Sequence, residues 1–174
     1  GFKDMYKEQL KVIDWAKTQT DAVFSTMNKR IGIGVAGHSM GGHGTYILIQ
    51  LAPDYFAAAA PSAGSGLRRT EKFIDASVIK DIPIWAFHGD KDGVCPFEKD
   101  QKIFDEVKKL GGNMKLTKWK GDKHGVSGKF IPGADNGETQ PSGKRCDSEP
   151  IFLKWLFKQK RPEKKPSTTK PGRS

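Results

Sequence analysis

Cysteine is scarce in this chain: two among 174 residues, Cys95 and Cys146. Two thiols without C-x-x-C spacing define no metal site by themselves. They leave a single Cys95–Cys146 disulfide open as an expectation, with a free Cys95 beside a strand end as the alternative. Long hydrophobic runs are also missing. No stretch approaches the roughly 18 apolar residues of a membrane helix, and the opening GFKDMYKEQL has neither the apolar core nor the cleavage signal of a secretory leader. The chain reads as soluble, with no membrane span. Its compartment stays open, secreted or periplasmic included, because a leader could precede Gly1. No internal repeat is visible.

Acidic residues are outnumbered, 20 Asp+Glu against 30 Lys+Arg, for a net charge of +10. Half of that excess sits in residues 159–174, QKRPEKKPSTTKPGRS, with six basic residues against one glutamate. Three prolines and no core-filling side chain make this segment a disordered, solvated tail that can cling weakly to anionic polymers or membrane surfaces. It lacks aromatic residues to stack on bases, so specific nucleic-acid binding is not expected. The remaining 1–158, at a hydrophobic content of 36% for the chain, suit one domain with one core.

Periodicity sorts the domain into alternating elements. A helix is expected over Met5–Thr18, where Leu10, Ile13, Trp15 and Ala16 approach a 3.6-residue period. The apolar run Ile31–Ala36 suits a strand buried on both faces. Gly42–Leu51 reads as a helix stopped by Pro53, and Phe56–Ala60 as a strand ending at Pro61. Then follow strand Ile84–Phe87, a Gly/Asp turn, helix Glu98–Leu110, strand Lys115–Trp119 and helix Glu149–Phe157. Phe130–Cys146, rich in Gly, Pro and polar residues, reads as a long loop, a lid or an insertion. Strands separated by helices of this length imply an α/β fold of three layers, α/β/α, around a mostly parallel sheet with right-handed crossovers.

Gly37-His38-Ser39-Met40-Gly41 fits G-x-S-x-G between an expected strand and an expected helix. There the pattern has mechanical meaning: a sharp turn lifts the serine hydroxyl above the carboxyl edge of the sheet. The residues two before and two after the serine are expected to be small because a Cβ would strike neighbouring backbone. Ser39 is then the candidate nucleophile, and the Met40 amide, at a helix N-terminus, the candidate oxyanion donor.

A serine hydroxyl needs a base, and the base needs an acid to hold it. Of the four histidines, His38 and His43 lie within the turn and read as packing or pocket-lining residues. His88 closes a strand and is expected to bond a loop. His124, in GDKHGVSG, follows both the serine and an aspartate-rich strand end and is the candidate base. Asp90 and Asp92 both follow the strand Ile84–Phe87 at its carboxyl end, and spacing alone does not choose between them. Asp122 reads as a turn residue.

These segments, GHSMGGHGTY, PDYFAAAAPSAG and IPIWAFHGDKDGVCP with a histidine after a final strand, resemble the α/β-hydrolase superfamily across about Met5–Phe157. The likeness is to serine esterases of the phospholipase/carboxylesterase, polyhydroxybutyrate-depolymerase-like or feruloyl-esterase-like type. It implies Asp92 as the acid, through H-G-x-x-D-x-x-x-P, and His124 as the base, although relatives carry His-Asp where this chain has His124-Gly125. Dienelactone-hydrolase relatives would be expected to use a cysteine nucleophile, so Ser39 argues against that branch. The resemblance starts only at the helix before the nucleophile strand. That leads us to expect a fragment, a cleaved product, or one half of a pair whose missing N-terminal segment or partner chain completes the sheet and supplies a second oxyanion donor.

The chemistry so implied is hydrolysis of a small-molecule or polymeric carboxylic ester through a Ser39–His124–Asp92 triad and an acyl-enzyme, with no cofactor and no metal. Loops around His38, Gly64 and Val94 would line the substrate. The alternatives are a serine peptidase of prolyl-oligopeptidase type and a non-catalytic, hydrolase-derived fragment acting as a binding module.

Overall fold

A computed structural model of the chain describes residues 33–64, 74–126, 129 and 137–161, with Asp4, Lys7, Glu8, Leu10 and Lys11 near the start. Those five are helical, and Leu10 packs on the core. Most of the helix expected over Met5–Thr18 lies outside the described residues, as do residues 162–174 of the basic tail.

In chain order the elements are β1 (Ile33–His38), α1 (Met40–Leu51), β2 (Phe56–Ser62), α2 (Ala76–Ile79), β3 (Ile84–Gly89), α3 (Phe97–Lys109), β4 (Met114–Trp119), β5 (Gly137–Pro141) and α4 (Phe152–Lys158). They form one five-stranded sheet in the order β1-β2-β3-β4-β5. The first four strands run parallel and β5 pairs antiparallel with β4. Among the described residues β1 is therefore an edge strand, bonded to β2 alone.

Alternation along the strands builds two cores, because successive side chains point to opposite faces. Ala59, Ile84, Ala86, Met114 and Leu116 face Tyr46, Ile47, Ile49, Phe104 and Val107 of α1 and α3. Ala58, Ala60, Trp85, Phe87 and Trp119 face Trp155 of α4. Helices thus cover both faces of a mostly parallel sheet, the three-layer α/β arrangement. β2 and β3 are apolar at nearly every position because both sides are dry, and they are buried throughout. β1 is not the strand buried on both faces expected over Ile31–Ala36: Gly34 and Ala36 are exposed and Val35 is half-buried, since among the described residues the strand has a neighbour on one side alone.

Two further expectations fail. The strand over FAAAAPS does not stop at Pro61 but runs to Ser62, with Pro61 opposite Gly37; proline's fixed φ suits an extended chain, and only one N–H is lost. The segment expected to be a loop, Phe130–Cys146, contains β5, paired from Gly137 opposite Trp119 to Pro141 opposite Lys115. Residues 130–136 lie outside the described set. This strand is polar and exposed, an edge with one dry neighbour, so it leaves no hydrophobic signature.

Both cysteines are free, so the disulfide held open on sequence is not formed. Cys95 lies beyond the carboxyl end of β3, whereas the Cys146 thiol sits 3.3 Å from the Met114 carbonyl at the start of the parallel β4. A strand length, roughly 17 Å, separates those two levels. A disulfide spans Cα atoms no more than about 7 Å apart.

Candidate active site

The turn between β1 and α1 is a single residue. Ser39 adopts φ 57 and ψ −117 and stands at the N-cap of α1 without a side-chain cap. A non-glycine residue in that region costs about 1–3 kcal/mol and persists only where its surroundings impose it. Here they do. The Ser39 amide donates to the Ser62 carbonyl at 2.8 Å, and the Ser39 carbonyl accepts from His43 N–H at 3.0 Å. A Cβ on Gly37 would overlap the Gly41 backbone, and one on Gly42 would overlap the Ser62 carbonyl. Gly41 differs: a Cβ there meets nothing within 4 Å. The sterically required glycine after the serine is thus Gly42, three residues on, rather than the Gly41 of the sequence pattern.

His124 and Asp92 reach this serine from two other loops. His124 Nε2 lies 2.8 Å from Ser39 Oγ, and His124 Nδ1 lies 2.8 Å from Asp92 Oδ2. The imidazole keeps 26% of its side-chain surface exposed while the Asp92 carboxylate keeps none. Burial alone would raise the pKa of Asp92, but the His124 hydrogen bond and the amides of Cys95 and Val94 outweigh it and hold the carboxyl below its usual range. Those amides donate to Oδ1 at 2.9 and 2.8 Å.

The two aspartates that spacing left open have separate duties. Asp90 accepts from the Gly121 amide at 2.7 Å, while Asp92 accepts from His124. Asp90 thereby ties the loop that carries His124 to the end of β3, helped by Lys91 N–H on the Asp122 carbonyl at 2.8 Å. Gly89 permits the approach, since a Cβ there would overlap the Asp122 carbonyl. Asp122 lies in that turn, its carboxylate paired with Lys129.

The other sequence candidates fall around this line. The Met40 amide is the first of α1, where helix geometry leaves N–H groups without intrahelical partners. His38 packs its ring 4.9 Å from that of His124 and its Nδ1 3.0 Å from Ser62 Oγ; burial, then the His124 charge, lower its pKa. Val94 is 63% exposed on the loop that carries Asp92. Gly64 is buried, its Cα pressed against the Gly42–His43 backbone, where a Cβ would overlap. His43 is buried in α1 and bonds the Gly64 backbone. Sequence reasoning missed Asp100, which bonds His88 behind the loop that carries Asp92, and Tyr46, which bonds Asp100 in turn. Asp100 is recognisable only as a carboxylate on the apolar stripe of α3, three residues before Ile103 and seven before Val107.

The sequence profile of the dienelactone hydrolase family matches residues 3–136. The chain belongs to that family. The expectation that Ser39 places it outside that branch is thereby overturned: serine and cysteine carry their reactive atom from the same Cβ, so the bend of the turn does not depend on which is present. The family member is similar to a thermostable esterase of known crystal structure, at 30% identity and a TM-score of 0.58 over 89% of this chain and 37% of that one. It shares its fold with the acylaminoacyl peptidase of Pyrococcus horikoshii, at 18% identity and a TM-score of 0.58 over 71% of this chain and 24% of that one. It is also 33% identical over 63 residues to the uncharacterized peptidase YuxL of Bacillus subtilis, across 33% of this chain and 10% of that protein. The chain thus spans little more than a third of the esterase and less of the peptidases.

Proposed function

We propose that this family member hydrolyses carboxylic esters, with Ser39 as nucleophile, His124 as general base and acid, Asp92 as the carboxylate that orients it, and the Met40 amide as oxyanion donor. The observation that carries this reading is the unbroken line of two 2.8 Å hydrogen bonds from Ser39 through His124 to Asp92.

The tautomer follows from the partners. An ionised carboxylate only accepts, so His124 Nδ1 carries hydrogen toward Asp92 and Nε2 offers its lone pair to the Ser39 hydroxyl. Oγ attacks the ester carbonyl as its proton passes to Nε2. The charge gathers on the former carbonyl oxygen, where the first amide of α1 donates and the helix N-terminus favours an anion. The imidazolium, stabilised by Asp92, then protonates the departing alkoxide. Water, deprotonated at the same Nε2, cleaves the acyl-enzyme and frees Ser39. His38, whose ring packs on that of His124, and the exposed Val94 of the loop that carries Asp92 would contact the acyl or alcohol group.

Hydrolysis of p-nitrophenyl acetate by the chain and by Ser39→Ala tests the reading: the substitution is expected to lower turnover by roughly 10⁴-fold or more. Undiminished turnover overturns it. The likeness to YuxL favours amide hydrolysis by the same residues as the second reading, and an N-acetylaminoacyl p-nitroanilide cleaved in preference to the ester would select it.

A further inference from the structure

A second histidine–carboxylate couple lies behind the acid loop, and the proposed reaction does not use it. His88, next to last in β3, is fully buried. Its Nδ1 is 2.6 Å from Asp100 Oδ2. Its Nε2 is 2.8 Å from the Cys95 carbonyl oxygen and 3.3 Å from Asp92 Oδ2. Tyr46 of α1 donates its hydroxyl to the other oxygen of Asp100 at 2.8 Å.

Hydrogen-bond roles settle what Nε2 must be. A carbonyl oxygen can only accept, so Nε2 carries hydrogen and donates it to the Cys95 carbonyl, with the Asp92 carboxylate 3.3 Å from the same nitrogen. The second proton of the couple is shared between Nδ1 and Asp100, so the pair is neutral overall while its positive end points at Asp92. Burial lowers the pKa of His88, but the Asp100 hydrogen bond and charge, the Cys95 carbonyl and Asp92 outweigh it and leave it raised. The titratable groups around this imidazole are Asp100 from α3, Tyr46 from α1, Asp92 and the Cys95 thiol from the acid loop, and, beyond Asp92, His124 and His38.

We propose that His88 is a positioning residue for the acid: its Nε2–H ties the Cys95 carbonyl and the Asp92 carboxylate to the end of β3, with Asp100 as counter-charge, so that Asp92 Oδ2 stays aimed at His124. The proposal rests on the reading that Asp92 orients His124. The amides of Val94 and Cys95 close the loop on Asp92 Oδ1, and the backbone ties its start to the sheet through Asp92 N–H on the Gly89 carbonyl at 3.2 Å and Asp90 N–H on the Trp119 carbonyl at 3.1 Å. His88 adds the tie at the far side of the loop, on the Cys95 carbonyl.

Removing the imidazole leaves the carboxylates of Asp92 and Asp100 without a cation between them, and that added negative charge makes His124 harder to deprotonate. The test is the rate at which a fluorophosphonate labels Ser39 in the full chain, followed against pH. His88→Gln, which keeps a donor near the place of Nε2, is expected to label about tenfold more slowly at pH 8 and to shift the acid limb to higher pH. His88→Gln combined with Asp100→Asn removes both charges and is expected to return the limb toward wild type. A His88→Gln protein that is folded and follows the wild-type profile overturns the positioning role alone. A wild-type chain that takes no label overturns the serine reading and this proposal with it. Imidazole proton–nitrogen correlation spectra of the wild type give an independent check that needs no variant: Nε2 of His88 protonated from pH 5 to 9 supports the proposal, and a bare Nε2 within that range overturns it.

Discussion

The turns that present Ser39 and Asp92 leave the same edge of the sheet and are held by different means. Between β1 and α1 there is one residue, fixed by backbone sterics and by a carbonyl of the neighbouring strand. Between β3 and α3 there are seven, 90–96, where side chains add to the backbone bonds of residues 90–92: Asp92 on two amides, Asp90 on Gly121, His88 on the Cys95 carbonyl. The first turn stores strain and tolerates almost no added atom. The second stores little strain and depends on where charges and protons sit. Substitutions at the first should therefore act through folding, and those at the second through orientation and pH.

The largest effect is expected where the comparison is set aside and the proposed chemistry itself is struck. Asp92→Asn keeps the shape of the acid loop but favours the wrong His124 tautomer, and turnover should fall by about 10⁴-fold with the melting temperature nearly unchanged. Next comes the strained turn. Gly37→Ala is expected to cost about 3 kcal/mol by chemical denaturation, because its Cβ would overlap the Gly41 backbone. Gly41→Ala, two residues past the serine in the same motif, should cost nothing or add up to ~1 kcal/mol, since the position is open and helical. Equal losses at the two glycines would break the steric account of the turn.

Smaller effects separate the two aspartates and the two faces of the sheet. Asp90→Ala removes the acceptor for Gly121 and should cost about 1 kcal/mol of stability and less than tenfold in turnover, far less than Asp92→Asn. On the face away from α1, the Lys115 amine lies 3.3 Å above the Trp85 ring and donates to the Glu149 carbonyl at 2.9 Å. Burial pushes it down to about 8, with Asp147 the first of the groups opposing that shift. The unfolded lysine titrates near ~10.4, so between those values the unfolded chain binds more protons, and this group's contribution to stability rises with pH. The stability difference between wild type and Lys115→Met should grow in favour of wild type from pH 8 to 10; a difference constant with pH would contradict the lowered value.

Much of the fold was legible because a sheet covered on both faces writes itself as short apolar runs, and β2 and β3 each occupy one; β1 is as apolar though less buried, and β4 alternates, its Lys115 and Thr117 engaging Trp85. The β5 strand was not, because a strand that shows most of its side chains to solvent needs no apolar residue. The serine was legible from the turn itself, whose sterics force glycine at fixed offsets, although the pattern marks Gly41 where the structure requires Gly42. The choice between Asp90 and Asp92 was not open to spacing, since both sit at one strand end; the resemblance pointed to Asp92, and tertiary hydrogen bonds give the two carboxylates separate partners. Asp100 was hidden among the charges of α3, where the helical period alone placed it inward.

The most direct test of the account is intact-mass and peptide mapping of the chain after treatment with a fluorophosphonate. The account predicts one adduct per chain, on Ser39, lost in His124→Ala while that protein stays folded. An adduct on another residue, or undiminished labelling of Ser39 without His124, would contradict it.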